Sequence, residues 1–102
     1  MKDNKKIYIS GKITGLAHET AYANFELAEK VLESLGYEPI NPMKKVSEQE
    51  GKTYKEYMLE DIELLWDCAG IFMLDNWKDS RGARIERFIA EELGLEVMGA
   101  IT

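Results

Sequence analysis

The chain has little of what most often carries chemistry. Its 102 residues include one cysteine, Cys68, and one histidine, His18. A lone thiol excludes an internal disulfide and fits a reducing compartment, so a cytoplasmic location is expected. With one cysteine and one histidine there is no seed for a metal site, and no metal or other cofactor is expected. No apolar run approaches the ~20 residues of a membrane span. Met1 to Lys6 is polar and leads straight into a strand pattern, without the form of a signal peptide. Basic residues are also in short supply: 13 against 19 acidic, for a net charge of −6. That argues against nonspecific binding to a nucleic-acid backbone, which needs a basic surface. A small anionic ligand stays open, because local donors can outweigh net charge.

What is present is a globular composition, 45% apolar, and enough length for one domain spanning 1–102 with a single core. Lys6 to Ser10 reads as a strand, with Ile7, Tyr8 and Ile9 continuous as in a central parallel strand. Ser10-Gly11-Lys12-Ile13-Thr14-Gly15 follows. It is a polar loop that matches neither phosphate-loop fingerprint and could be an ordinary turn. Glu19 to Leu35 is helical, with Phe25, Ala28, Val31, Leu32 and Leu35 as its apolar stripe and Gly36 as its stop. Tyr37 to Ile40 is a second strand, closed by Asn41-Pro42. Met43 to Lys52 reads as a surface loop and a candidate lid. A helix begins at Thr53 or Tyr54 and runs to about Cys68, with Tyr54, Met58, Ile62, Leu65 and Ala69 on its apolar side.

Gly70 to Leu74 is a third strand. Asp75 to Gly82 is a polar turn, a third helix runs on to about Leu93, and Glu96 to Ile101 is a fourth strand. Alternating β and α elements predict an α/β doubly wound parallel sheet of the Rossmann or flavodoxin type, strand order 2-1-3-4, with three main helices. Strands 1 and 3 are then neighbours at the switch point, where such sheets place ligands. The two polar loops meet there.

Ser80 suits the N-cap of the third helix, and Gly82 lets a ligand approach its first turn. Free N–H groups of Gly82 and Ala83 would favour an anion such as phosphate. Glu86 shares a face with Ala83, Ile89, Ala90 and Leu93, which makes it a carboxylate on an apolar stripe. Position alone leaves two readings, a working carboxylate or one that complements the helix dipole and pairs with Arg81 or Arg87. Asp61 sits at the edge of another apolar stripe, and is either a second site carboxylate or a solvated acid beside Glu60 and Glu63.

Ile7 to Gly15 and Ser80 to Glu86 resemble the nucleoside 2-deoxyribosyltransferase superfamily. Asn41-Pro42, Asp61-Ile62, Asp67-Cys68-Ala69, Trp77 and Gly94 extend the resemblance to a small, mostly bacteriophage branch of it. The resemblance implies cleavage or transfer at the N-glycosidic bond of a nucleoside or nucleoside 5′-monophosphate. The family spacing from glycine to nucleophile falls on Gly82 and Glu86. By the same likeness Tyr8 and Asp61 join Glu86 as catalytic residues, and Ser80 becomes the phosphate-binding serine. Ser10, Gly11, Lys12, Thr14, Gly82 and Ala83 complete the expected substrate and phosphate contacts. Lys12 and Thr14 stand where the monophosphate hydrolases have serine and arginine. The longer C-terminal part of characterised members has no counterpart here. Either a neighbour supplies other groups, or the site is more open, or the activity is lost. Tyr54, Tyr57 and Trp66 on one helix are more large aromatics than one helix face usually hides, so a homodimer or higher homo-oligomer is expected. A nucleotide-binding protein without turnover is the alternative.

Overall fold

The computed structural model describes residues 5–100. Four strands form one parallel sheet: β1 (Lys6–Ser10), β2 (Glu38–Ile40), β3 (Gly70–Met73) and β4 (Glu96–Gly99), in the order β2-β1-β3-β4. The helices are α1 (His18–Ser34), the short α2 (Pro42–Lys45), α3 (Tyr54–Trp66) and α4 (Arg81–Glu92). Fold class, strand order and the three main helices are as the sequence predicts.

Alternation along β1 builds the two layers. Ile7 and Ile9 face α1 and join Phe25, Ala28 and Leu32 in one buried cluster. Tyr8 faces the other way, among Leu65, Ile71, Met73, Ala83 and Ala90 on the side of α3 and α4. Ser10 shares the parity of Tyr8 and is equally buried. The chain thus delivers two hydroxyls, two residues apart, to the face that α4 covers.

Several boundaries and stripes differ from expectation. Val31 and Leu35 are exposed, because α1 touches the sheet only along Ala21, Phe25, Ala28 and Leu32. On α3 only Met58 and Leu65 are buried, and Tyr54 is nearly half exposed at the end of the helix. That helix stops at Trp66 rather than Cys68, and Ala69 is exposed beyond it. Thr53 opens α3 with a reciprocal cap: its hydroxyl accepts from the Glu56 N–H, and the Glu56 carboxylate accepts from the Thr53 N–H. The expected loop from Met43 contains most of α2, with Pro42 in its first turn and Asn41 Oδ1 accepting from the Met43 N–H at 3.0 Å. The polar turn before α4 contains a 3₁₀ turn, Trp77–Asp79. β4 ends at Gly99, and Ile101, the expected end of that strand, lies outside the described residues.

Two bonds weld the loops at the switch point. Leu74 N–H donates to Ser10 O at 2.9 Å, and Lys12 N–H donates to Asn76 Oδ1 at 2.9 Å. Gly11 packs so close to Leu74 that a Cβ there would lie 2.5 Å from Leu74 Cδ1. Among the described residues no helix is long and apolar enough to cross a membrane.

Candidate active site

Above the carboxyl ends of β1 and β3 lies a cavity of about 570 Å³. Its floor includes Tyr8, Ala83 and Glu86, and α3 contributes Tyr54, Tyr57, Met58 and Asp61 to its wall. Glu86 is 5% exposed. α4 holds it there because its neighbours one turn away, Ala83 and Ala90, are fully packed against the sheet.

Both Glu86 oxygens are engaged. Tyr8 Oη donates to Oε2 at 2.8 Å and Ser10 Oγ donates to Oε1 at 2.6 Å. Asp61 lines the same cavity, close enough for its carboxyl to act on that of Glu86. Burial raises the Glu86 pKa, and the neighbouring Asp61 charge raises it further, against the pull of the two hydroxyls. Burial likewise raises Asp61. Two carboxyls close together away from water hold one proton between them more readily than two charges. Tyr8 is pushed well above its ordinary value, by burial first and by the Glu86 and Asp61 charges next, so it remains a donor.

The N-terminus of α4 forms another part of the wall through Ser80, Arg81, Gly82 and Ala83. Ser80 caps the helix, its Oγ accepting from the Ala83 N–H at 3.1 Å. A Cβ on Gly82 would sit 3.3 Å from both Met58 Sδ and Tyr54 Oη, so glycine keeps that corner open. Arg81 lies over the Tyr54 ring at 5.8 Å. At the mouth, Glu48 pairs with His18 at 3.2 Å, and Lys52 ties the loop before α3 to Glu60 and to the Tyr57 ring.

The structure therefore brings together Tyr8, Ser10, Asp61 and Glu86, and sets Gly11, Thr14, Ser80, Gly82 and Ala83 on the same cavity. Two of the expected contacts are not among its lining residues. Ser10 is the last residue of β1, and its hydroxyl donates to Glu86. Lys12 does not reach the cavity; its side chain turns toward Gly15, close to where a Cβ there would stand. Sequence reasoning missed Tyr57, Arg81 and Glu48 as cavity residues, and placed Tyr54 in a buried stripe. For Ser10 a signal existed: it is two residues from Tyr8 on a strand. Among the described residues no group of three or more His, Cys, Asp or Glu is placed to hold a metal ion. Cys68 is buried against α3, donates to Leu64 O at 3.3 Å, and has its thiol pKa raised to about 11 by burial. It is a packing residue rather than a nucleophile.

A search of curated proteins finds no match. Among solved structures, the chain is similar to a 2-deoxyribosyltransferase from the psychrotolerant bacterium Bacillus psychrosaccharolyticus, described as a biocatalyst for nucleoside synthesis. The two share 24% identity with a TM-score of 0.68, over 90% of this chain and 69% of that one. At that identity the likeness establishes a shared α/β fold. A match to the domain-of-unknown-function family DUF4406 runs over residues 5–99, and the chain belongs to that family.

Proposed function

We propose that the protein cleaves or transfers the N-glycosidic bond of a nucleoside or nucleoside 5′-monophosphate, with Glu86 as nucleophile. The observation that carries this reading is a pair of carboxyls, Glu86 and Asp61, on one cavity, with Tyr8 and Ser10 fixing both Glu86 oxygens. Cleavage at the anomeric carbon passes through an oxocarbenium-like state. In this reading the ionised Glu86 attacks that carbon and the base leaves with a proton supplied by Asp61. Water, or a second base, then displaces Glu86 from the sugar. A proton shared by the two carboxyls suits both roles, because developing positive charge on the sugar draws it from Glu86 to Asp61. Tyr8 and Ser10 donate to the charge that forms on Glu86. The N-terminus of α4 with Arg81 is the place for a 5′-phosphate.

One observation favours a second reading, a binding protein without turnover. Burial favours the uncharged form of Glu86, and an uncharged carboxyl is no nucleophile. Incubation with a panel of nucleosides and 5′-monophosphates, followed by chromatography for free base, separates the two. Release of base that vanishes in Glu86→Gln supports the enzyme. Thermal stabilisation by the same compounds with no base released supports the binder.

A further inference from the structure

The cavity has a charge pattern that the proposed reaction does not require. Four carboxyl-bearing residues line it: Glu48, Asp61, Asp79 and Glu86. Arg81 is the one lysine or arginine that lines it among the described residues. Even with a proton shared by Asp61 and Glu86, acids outnumber bases there. Lys52, over the Tyr57 ring, adds a second positive charge beside the cavity and still leaves acids in excess, and the chain as a whole carries −6. The walls add Tyr54 and Tyr57, whose ring faces attract cations. Both rings already have cations over them: Arg81 over Tyr54 at 5.8 Å and Lys52 over Tyr57 at 4.8 Å.

Resting on the glycosidic reading above, we infer that the preferred substrates are N-glycosides whose aglycone is a cationic heteroaromatic ring, such as a pyridinium or an N-alkylated purinium. The partly enclosed carboxyl-lined cavity attracts such a ring while a neutral base gains nothing from the charge. The chemistry also fits. The C1′–N bond breaks with its electron pair going to the ring nitrogen, so the aglycone leaves neutral and takes no proton. A Glu86 oxygen forms the new bond to C1′. Asp61, left holding the pair's proton because the aglycone takes none, releases it to solvent. Water then attacks C1′ as Asp61 accepts a proton from it, and Glu86 departs as the carboxylate, which restores the one-proton pair. The sum is cationic glycoside plus water giving free sugar, neutral heterocycle and one proton.

The test uses a matched pair of probes, nicotinamide riboside and its 1,4-dihydro form, which have nearly the same shape but a cationic and a neutral ring. Calorimetric titration of the full chain at low salt is expected to show the cationic form binding at least about tenfold tighter. Glu48→Gln, an exposed position whose contact is with His18, is expected to shrink that ratio without lowering the melting temperature. Equal binding of the two probes, or a ratio unmoved by Glu48→Gln, overturns the inference. Turnover keeps this separate from the reading beneath it. Release of base from neutral nucleosides, with no gain for nicotinamide riboside, sinks the cation preference and leaves the glycosidic reading standing. Tight, selective binding of the cation with no base released from any compound upholds the preference and sinks the glycosidic reading.

Discussion

Tyr8 and Glu86 are 78 residues apart in the chain, and their side chains meet at 2.8 Å in the interior. The hydroxyl enters on the second residue of the sheet-facing parity of β1. The carboxyl enters one turn into α4. Parallel pairing of β1 with β3, Tyr8 beside Ile71, fixes the first, and packing of Ala83 and Ala90 fixes the second. The contact is a product of the fold rather than of any local motif.

Replacing Glu86 by Gln keeps the shape and removes the charge. Turnover is expected to fall by orders of magnitude, since no other group stands in its place to form the covalent intermediate. The melting temperature at neutral pH is expected to hold or rise, because the buried pair no longer strains against ionisation. A variant that melts earlier and turns over normally would falsify the catalytic assignment.

The pH dependence of stability has a definite sign. Both carboxyls have folded-state pKa values raised above their ordinary values of 4.5 for Glu86 and 3.8 for Asp61, chiefly by burial. The folded state therefore holds protons more tightly than the unfolded one. The resulting stability is present at and below the ordinary carboxylate range and is lost as pH rises through the raised values. Urea titrations from pH 5 to 9 are expected to show falling stability. Glu86→Gln is expected to flatten that slope; an unchanged slope would remove Glu86 as its source.

Ser80→Ala removes the cap on Ala83 N–H and is expected to cost about 1 kcal/mol of stability. If the hydroxyl also meets a 5′-phosphate, the same change narrows the affinity gap between a monophosphate and its nucleoside. Parallel denaturation and binding measurements report the two effects independently.

Gly11→Ala is expected to destabilise by about 1–3 kcal/mol, as overpacking does, because the added methyl meets Leu74. Gly36→Ala is the comparison, since there the space is open and only the positive φ is penalised. Gly11 carries no such φ penalty, so a Gly11→Ala protein as stable as the unaltered chain would mean that the close approach of the two loops contributes nothing of its own.

Self-association is expected through the outer face of α3 and α4, where Leu59, Trp66 and Phe88 are each more than half exposed. Sedimentation at high micromolar concentration should show a dimer that Trp66→Glu disperses. A monomer in both samples would leave the exposed face without this role.

The sheet was legible because a parallel, doubly buried strand such as Ile7-Tyr8-Ile9 has a distinctive apolar run. Glu86 was legible because a charge on an apolar stripe is costly and stands out. Asp61 was legible only in company, since its own helix offers three acids in four positions, Glu60, Asp61 and Glu63. The residues that escaped are those whose placement depends on where elements end. Tyr54 looks like a core position by spacing, but the first turns of α3 bring it and Tyr57 to the cavity. Lys12 looks like a phosphate ligand by type, but Asn76 takes its N–H while its side chain turns toward Gly15. Helical and strand periodicity report which face a residue occupies and say nothing about what lies opposite.

The separation between Tyr8 and Glu86 also bears on how the chain comes off the ribosome. β1 is made first but sits in the middle of the sheet, between β2 and a β3 that begins at Gly70. Until β3 and α4 have been synthesised, Tyr8 and Ser10 lack the Glu86 carboxyl and the inner strand has one open edge. The pocket is thus among the last things to form, and contacts of such long range close slowly. A probe of the Tyr8–Glu86 contact in a nascent or partly refolded preparation would therefore count finished molecules, which makes it a stricter gauge of folding here than helix content.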